Sequence, residues 1–370
     1  MRQKKLLGIV LVLLCSMQLV IAKDGSGSQK LSGDSRINMR SGNTYMNIGE
    51  YDKALERYLD VVSDKPEYIE ALKLIGDIYF FYGDENPLEA VPNYTESFHY
   101  YDRATIAYEK YSNVKGVKKL EKQIDDAKLK KIATWARLFN HGQENVAKQE
   151  YDSALEEFQK LAELTPDSTK IYIMLASIHQ AKDEGDTAAE YFQKITEMDE
   201  SDVVSRKNLA IHYFQEQDYE NALKWYERVI ALEPEEGDNY FWAAVVLMSS
   251  NELEKSLTYF EKAYELDNDN LDAMQYAANV AINLKQMDKA VLYFQNMVEG
   301  DPENEELLLN LLYTMSGTED FKGMVEYGQK LYNLNNQSVE AVQFVVLGAR
   351  KIDNKELEKK FIKILEQLSK

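Results

Sequence analysis

Two hydrophobic patterns divide the chain. Near its start, Leu6 to Ile21 is almost continuously apolar, interrupted by short polar residues such as Ser16 and Gln18, and it follows the basic residues Arg2, Lys4 and Lys5. This pattern predicts a secretory signal peptide over residues 1–22, cleaved near Ala22, with Val20 and Ala22 three and one residues before the cut. Residues 23–34 (KDGSGSQKLSGD) are Gly/Ser-rich and read as a flexible leader. The alternatives are an uncleaved membrane anchor and a lipoprotein acylated at Cys15, although Leu14 stands where lipoprotein signals carry a small residue. From residue 35 onward the pattern changes. Apolar residues recur at i, i+3, i+4 and i+7, the stripe of an amphipathic helix.

The helical blocks repeat. An aromatic-x-x-small-x-x-x-aromatic signature occurs at Tyr51/Ala54/Tyr58, Tyr101/Ala104/Tyr108, Tyr151/Ala154/Phe158 and Tyr219/Ala222/Tyr226, with looser copies at Ala188/Phe192, Ser256/Phe260 and Ala290/Phe294. The small residues Ala154, Ala188, Ala222, Ser256 and Ala290 are each 34 residues apart. Pro66, Pro166, Pro234 and Pro302 each follow such a small residue by twelve positions and are each followed by an acid. Proline has no N–H and clashes with the preceding turn, so it is expected to end the second helix. The acids Glu67, Asp167, Glu235 and Glu303 are expected to sit at the start of the next helix, where negative charge suits the macrodipole.

This periodicity resembles the tetratricopeptide repeat family, a helix–turn–helix unit of 34 residues. Gly42, Gly76 and Gly142, and then Ala176, Ala210, Ala244 and Ala278, occupy the small eighth position of that pattern. The resemblance implies an all-α, right-handed superhelical solenoid. Its first two units would span 35–111, with the second enlarged over 69–111, and six contiguous units would span 135–338. Residues 339–370 would form a degenerate unit ending in a capping helix, because stacked repeats need caps. Unit 305–338 departs from the pattern, with Met324 and Gly328 where small and aromatic residues are usual.

Two segments break the period. Residues 84–99 contain Pro87 and Pro92 and are expected to be an inserted loop. Residues 112–134 carry seven Lys against three acids and have apolar residues at helical spacing, Val117, Leu120, Ile124, Ala127 and Ala133. They are expected to form a basic helical insertion, continuous with Trp135 and beyond. The commoner role for such a charge run is a solvated face, with peripheral docking on an anionic membrane or acidic partner as the alternative.

Composition narrows the chemistry. The 370 residues include 43 Lys+Arg against 63 Asp+Glu, a net charge of −20. An acidic chain is a poor binder of nucleic acid. One cysteine excludes a disulfide scaffold and any cysteine-based metal centre. His99, His141, His179 and His212 are scattered, and the Asp267–Asp272 stretch lacks the glycine and distal glutamate of a calcium loop. No phosphate-binding loop or nucleophile elbow occurs, and the non-repeat pieces are too short for a catalytic domain. The expectation is a protein that is not an enzyme and holds no cofactor or metal.

In the family it resembles, ligands lie in a concave groove lined by the first helices. The resemblance places Lys73, Phe80, Phe81, Phe139, Gln143, Ile173, Lys207, Phe214, Phe241, Met248, Asn279, Asn283 and Tyr313 there. Amides suit the backbone of an extended peptide, and Phe and Met suit its apolar side chains. A known family clamp for a C-terminal carboxylate is absent, because Asp77 follows Lys73 by one helical turn and Met39 and Asn43 stand in the neighbouring unit. The implied function is a protein- or peptide-binding scaffold in the periplasm or cell envelope of a bacterium. The alternatives are an anchored or lipidated assembly factor and an accessory subunit of an envelope enzyme. Neither partner nor oligomeric state is specified.

Overall fold

The computed structural model describes residues 29–86, 89–268 and 270–368. Among these the chain forms eighteen α-helices, one short 3-10 turn and no strand. The expected signal peptide, Cys15 and most of the leader lie outside the described residues, as does Asp269. The chain divides into two compact units between Pro166 and Asp167, a break inside the run of repeats from 135 to 338.

The first unit holds α1 (Gly33–Asn47), α2 (Tyr51–Asp64), α3 (Ile69–Glu85), α4 (Ala90–Tyr111), α5 (Glu121–Ala147) and α6 (Tyr151–Leu164), with the 3-10 turn at Val117–Leu120. The second holds α7 (Thr169–Ala181), α8 (Gly185–Met198), α9 (Val203–Gln215), α10 (Tyr219–Leu232), α11 (Gly237–Ser249) and α12 (Leu253–Leu266). It continues with α13 (Leu271–Asn283), α14 (Met287–Gly300), α15 (Glu305–Met315), α16 (Phe321–Leu334), α17 (Val339–Lys351) and α18 (Lys355–Leu368). Within each unit, neighbouring helices pack in sequence order. The fold is an all-α solenoid of helix pairs, each burying its apolar face on its neighbours.

The small eighth position explains the pairing. A Cβ on Gly42 would stand 2.6 Å from the Tyr58 ring, one on Gly76 2.8 Å from Tyr101, and one on Gly142 2.9 Å from Phe158. Each ring therefore lies directly on the backbone of the opposite helix. In the second unit Ala176, Ala210, Ala244 and Ala278 fill the same role and are wholly buried. The irregular pair α15/α16 inverts the arrangement. Leu312 and Met324 are large and fully buried, while Gly328 is small and a Cβ there would meet Val345 at 2.9 Å. The close approach at Gly328 is thus made to α17 of the next pair.

The turns inside the pairs share one geometry. Gly49, Gln149, Asp183, Gln217, Asn251, Lys285 and Asp353 all have φ between +55° and +78°. The residue after each left-handed position donates its N–H back to the first helix: Glu150 to Asn145 O, Asp218 to Tyr213 O and Glu252 to Leu247 O, each at 2.8 Å. This is the closing bond of a Schellman cap. Between pairs, α2, α6, α10 and α14 end two residues before Pro66, Pro166, Pro234 and Pro302. However, α8 and α12 end at the same register with no proline, so the register is set by packing as well.

Three expectations are corrected. First, the described residues of 84–99 are mostly helical rather than a loop. Helix α3 runs on to Glu85 and α4 begins at Ala90, so each arm of this pair gains about one turn. Pro92 is accommodated in the first turn of α4, where its missing N–H has no helical acceptor to lose. A Cβ on Gly83 would stand 2.5 Å from the Tyr94 ring, so the added turns repeat the glycine-on-aromatic packing of Gly76 and Tyr101. Second, the repeat signature of α4 is Tyr94/Ser97/Tyr101 rather than Tyr101/Ala104/Tyr108. Tyr101 is the ring on Gly76, and the Ser97 hydroxyl donates to Gly76 O at 3.0 Å, as Ser256 does to Ala244 O at 2.8 Å. Third, Glu67 does not serve the start of α3. It accepts hydrogen bonds from Lys110 at 2.7 and 2.9 Å and from the Tyr111 hydroxyl. The side chains that close helix starts are others: Asp202 on Ser205 N (2.6 Å), Asp218 on Asn221 N (3.2 Å) and Asn304 on Leu307 N (3.1 Å).

The basic segment continues without a break through Trp135 as α5. Its buried stripe is Val117, Ile124 and Ala127. Lys130 binds Asp77 at 2.8 Å and Lys131 binds Asp102, so part of its charge is spent on α3 and α4.

Candidate functional site

The first helices of the repeats carry the residues assigned to the groove. In the first unit, most are committed to packing. The Lys73 ammonium lies 2.6 Å from Asp77 and 2.9 Å from Asp126. Burial works against its charge, but the two carboxylates outweigh this and hold its pKa above the ordinary value. Phe80 is covered by the Arg137 guanidinium, 4.5 Å from its ring centre, which also binds Asp84 at 2.7 Å. Phe139 is buried, stacked on Trp135 at 5.0 Å and edge-on to Phe158 at 5.4 Å. It is therefore a core residue, not a groove residue. Phe81, against Tyr51, and Gln143 remain exposed.

The second unit is more open. An apolar groove of about 430 Å³ lies between α9 and α11. Ile211 and Phe214 form one wall, Trp242, Val245 and Val246 the other, and Tyr226 of α10 contributes to the lining. Burial pushes the Tyr226 hydroxyl up to about 12, so it stays a neutral phenol. Lys207, Gln215, Asp238 and Asn239 supply the polar lining. Lys207 is held 3.4 Å from Glu233, whose carboxylate also accepts from Asn239 at 3.3 Å. The arrangement offers an apolar trough with donors and acceptors at its margin and no reactive constellation.

Trp242 is half exposed, at 50%, although a tryptophan normally buries most of its surface. Beside it Phe241 is held edge-on by Trp242, Phe260 and Tyr276 at 5.4–5.6 Å, so it supports the wall rather than lining it. On α13, Tyr276, Asn279 and Asn283 are exposed. On α15, Tyr313 is 57% exposed and edge-on to Phe344. Ile173 on α7 is exposed and Met248 half-buried.

The assignment from sequence missed Trp242 and Tyr276. They share the sixth position of successive repeats and are 34 residues apart, which is the signal that could have found them. Val204 and Ile211, 63% and 45% exposed on α9, were also absent from that assignment.

Comparison with known proteins places the repeats. A family model described as tetratricopeptide repeat matches residues 139–203. That stretch matches tetratricopeptide repeats. A second model, described as anaphase-promoting complex, cyclosome, subunit 3, matches residues 215–297, which includes the Trp242 wall of the groove, while Lys207, Ile211 and Phe214 lie between the two matched stretches. No curated protein matches the chain. Among solved structures, the chain is similar to the C-terminal part of a TPR repeat-containing protein from Cytophaga hutchinsonii, at 18% identity and TM-score 0.44, covering 74% of this chain and 99% of that one. It is also similar to YrrB, described as a TPR protein with an unusual peptide-binding site, at 22% identity and TM-score 0.41, covering 50% and 96%. A structure of MamA aligns at 22% identity and TM-score 0.39, covering 43% and 92%.

Among the described residues, no helix is long and apolar enough to cross a membrane, and no group of three His, Cys, Asp or Glu is placed to hold a metal ion.

Proposed function

We propose that this tetratricopeptide-repeat protein is an exported, non-enzymatic scaffold that binds an extended segment of a partner protein along the first helices of its second unit. The observation that carries this reading is the exposed Trp242 ring beside Ile211 and Phe214 in an apolar trough with a polar margin. Aromatic anchors in such troughs dominate peptide recognition, and flanking amides and charges set orientation. Export and a bacterial envelope location rest on the apolar pattern of residues 6–21.

The test is affinity capture from an envelope extract with residues 23–370, run beside Trp242→Ala and Ile211→Ser. Both side chains are exposed, so the variants should fold. Loss of one specific protein from both variants supports the groove. Its equal retention moves the ligand elsewhere, and turnover of a small substrate by the chain alone overturns the scaffold reading. Mass spectrometry of the mature N-terminus separates the forms: Lys23 first indicates cleavage and export, and an acylated Cys15 indicates a lipid-anchored factor.

A further inference from the structure

A second cavity, of about 690 Å³, lies among α8, α9 and α10 of the second unit. It shares two helices with the apolar groove but none of its residues. On α9, Arg206 and Tyr213 line this cavity, while Lys207, Ile211 and Phe214 line the groove. On α10, Trp225 belongs here and Tyr226 there. Residues seven apart share a helix face, so the two sites use different faces of α9.

Its charges are arranged by origin. Arg206, Lys224 and Arg228 come from α9 and α10, while Glu197 and Glu200 come from α8 and the turn after it. Among the described residues none of the three cations is ion-paired with a carboxylate. Arg206 is only 8% exposed, yet its guanidinium donates only to the Asp202 carbonyl oxygen, at 2.6 Å. The nearby Asp199 accepts the Ser201 hydroxyl and amide on one oxygen, at 2.6 and 2.8 Å, and feels the charge of Arg206 without contacting it. Arg228 lies over the Trp225 ring, 4.4 Å from its centre. A buried guanidinium that touches no carboxylate leaves most of its donors unused, and a planar carboxylate is the group its fork of donors matches best.

We propose that this cavity receives a segment of a partner protein that carries an acidic side chain beside a basic one. The carboxylate sits against Arg206, Lys224 and Arg228, and the basic group sits against Glu197 and Glu200. The two glutamates disfavour a phosphate group or a run of acids, because a dense anion gains from three cations but is repelled by two carboxylates on the same rim. The cavity volume is ordinary for a specific site. The inference does not rest on the apolar groove.

The three tryptophans, Trp135, Trp225 and Trp242, give a direct readout. The full mature chain is labelled with ¹⁵N at the indoles, and the signals are assigned with Trp→Phe variants. It is titrated with blocked peptides of equal length, one alternating Glu and Lys, one all-Glu and one all-Lys, and separately with inorganic phosphate. The expected result is a saturable shift of the Trp225 signal with the alternating peptide, with Trp242 unmoved. Affinity should fall about tenfold in a Lys224→Ala/Arg228→Ala variant, whose altered side chains are exposed and spare the fold. Arg206→Lys should retain part of the binding. Absence of a saturable Trp225 shift overturns the proposal, as does equal or tighter binding of phosphate or the all-Glu peptide. A shift confined to Trp242 assigns the peptide to the apolar groove and also overturns it.

Discussion

Lys130 of α5 donates to Asp77 of α3 across fifty-three residues of sequence, at 2.8 Å. The same carboxylate accepts from the Tyr101 hydroxyl at 2.9 Å and from Lys73 at 2.6 Å, so one acid gathers α3, α4 and α5. The Asp77 side chain is 12% exposed and that of Lys73 15%, which leaves little water to replace a lost partner. Asp77→Ala should destabilise the first unit by about 2 kcal/mol, because it strands the buried Tyr101 phenol and leaves the Lys73 ammonium with Asp126 alone. Denaturant unfolding followed by Trp135 emission measures this. Lys130→Ala, which removes a more exposed donor, should cost clearly less.

The glycine-on-aromatic contacts set a second expectation. Alanine at position 76 would gain helix propensity of about 1 kcal/mol. Its Cβ would also stand 2.8 Å from the Tyr101 ring, which is fully buried. Overpacking should win, and Gly76→Ala should lower stability by about 1–3 kcal/mol. Gly83→Ala should behave alike against Tyr94. Combining Gly83→Ala with Tyr94→Leu should cost less than the sum of the two changes in a double-mutant cycle.

The left-handed turn residues predict gains. Gln217 and Lys285 have φ of 59° and 60°, a conformation that strains any residue with a Cβ. Gln217→Gly and Lys285→Gly should each raise stability by about 0.5–1 kcal/mol after the unfolded-state entropy of glycine is counted. They lie two repeats apart, so thermal melts of the double variant should show near-additive shifts. Gln217→Val should shift the melt the other way.

Glu157 predicts a pH effect. It is buried, accepting from His141 Nδ1 at 2.7 Å and Asn145 at 2.9 Å on one oxygen, while the other oxygen has no partner. Burial pushes its carboxyl above the ordinary 4.5, with His141 opposing. A pKa raised on folding means the folded state holds the proton more tightly. Its contribution is therefore full below the ordinary glutamate range and is lost as pH rises through the folded value. Glu157→Gln should remove that part of the slope. Stability measured across this range for both proteins should give a smaller fall towards neutrality in the variant.

Much of the architecture was legible because close helix packing leaves few choices at the crossing. Glycine lies opposite Tyr58 and Phe158 and alanine opposite Phe260, and such small residues recur at a fixed spacing. The reading slipped where spacing is degenerate. Tyr94, Tyr101 and Tyr108 are seven apart, two helical turns, so they point the same way and sequence alone does not choose which lies on Gly76. The groove was less legible, because a helical face specifies direction but not what covers it. Phe139 and Phe80 point from the expected positions, yet Trp135 and Arg137, each from α5, lie over them.

The lengthened pair α3/α4 shows how such a chain tolerates growth. At the hairpin tip each arm is longer by about one helical turn, so the facing residues Gly83 and Tyr94 stay in phase with Gly76 and Tyr101. An insertion of another size would rotate one arm against the other and point Tyr94 away from Gly83. Helix pitch thus acts as a ratchet on length. Viable additions at a hairpin tip come in whole steps, and each step brings its own glycine, its own ring and, at Asp84, a new handle for the helix that follows.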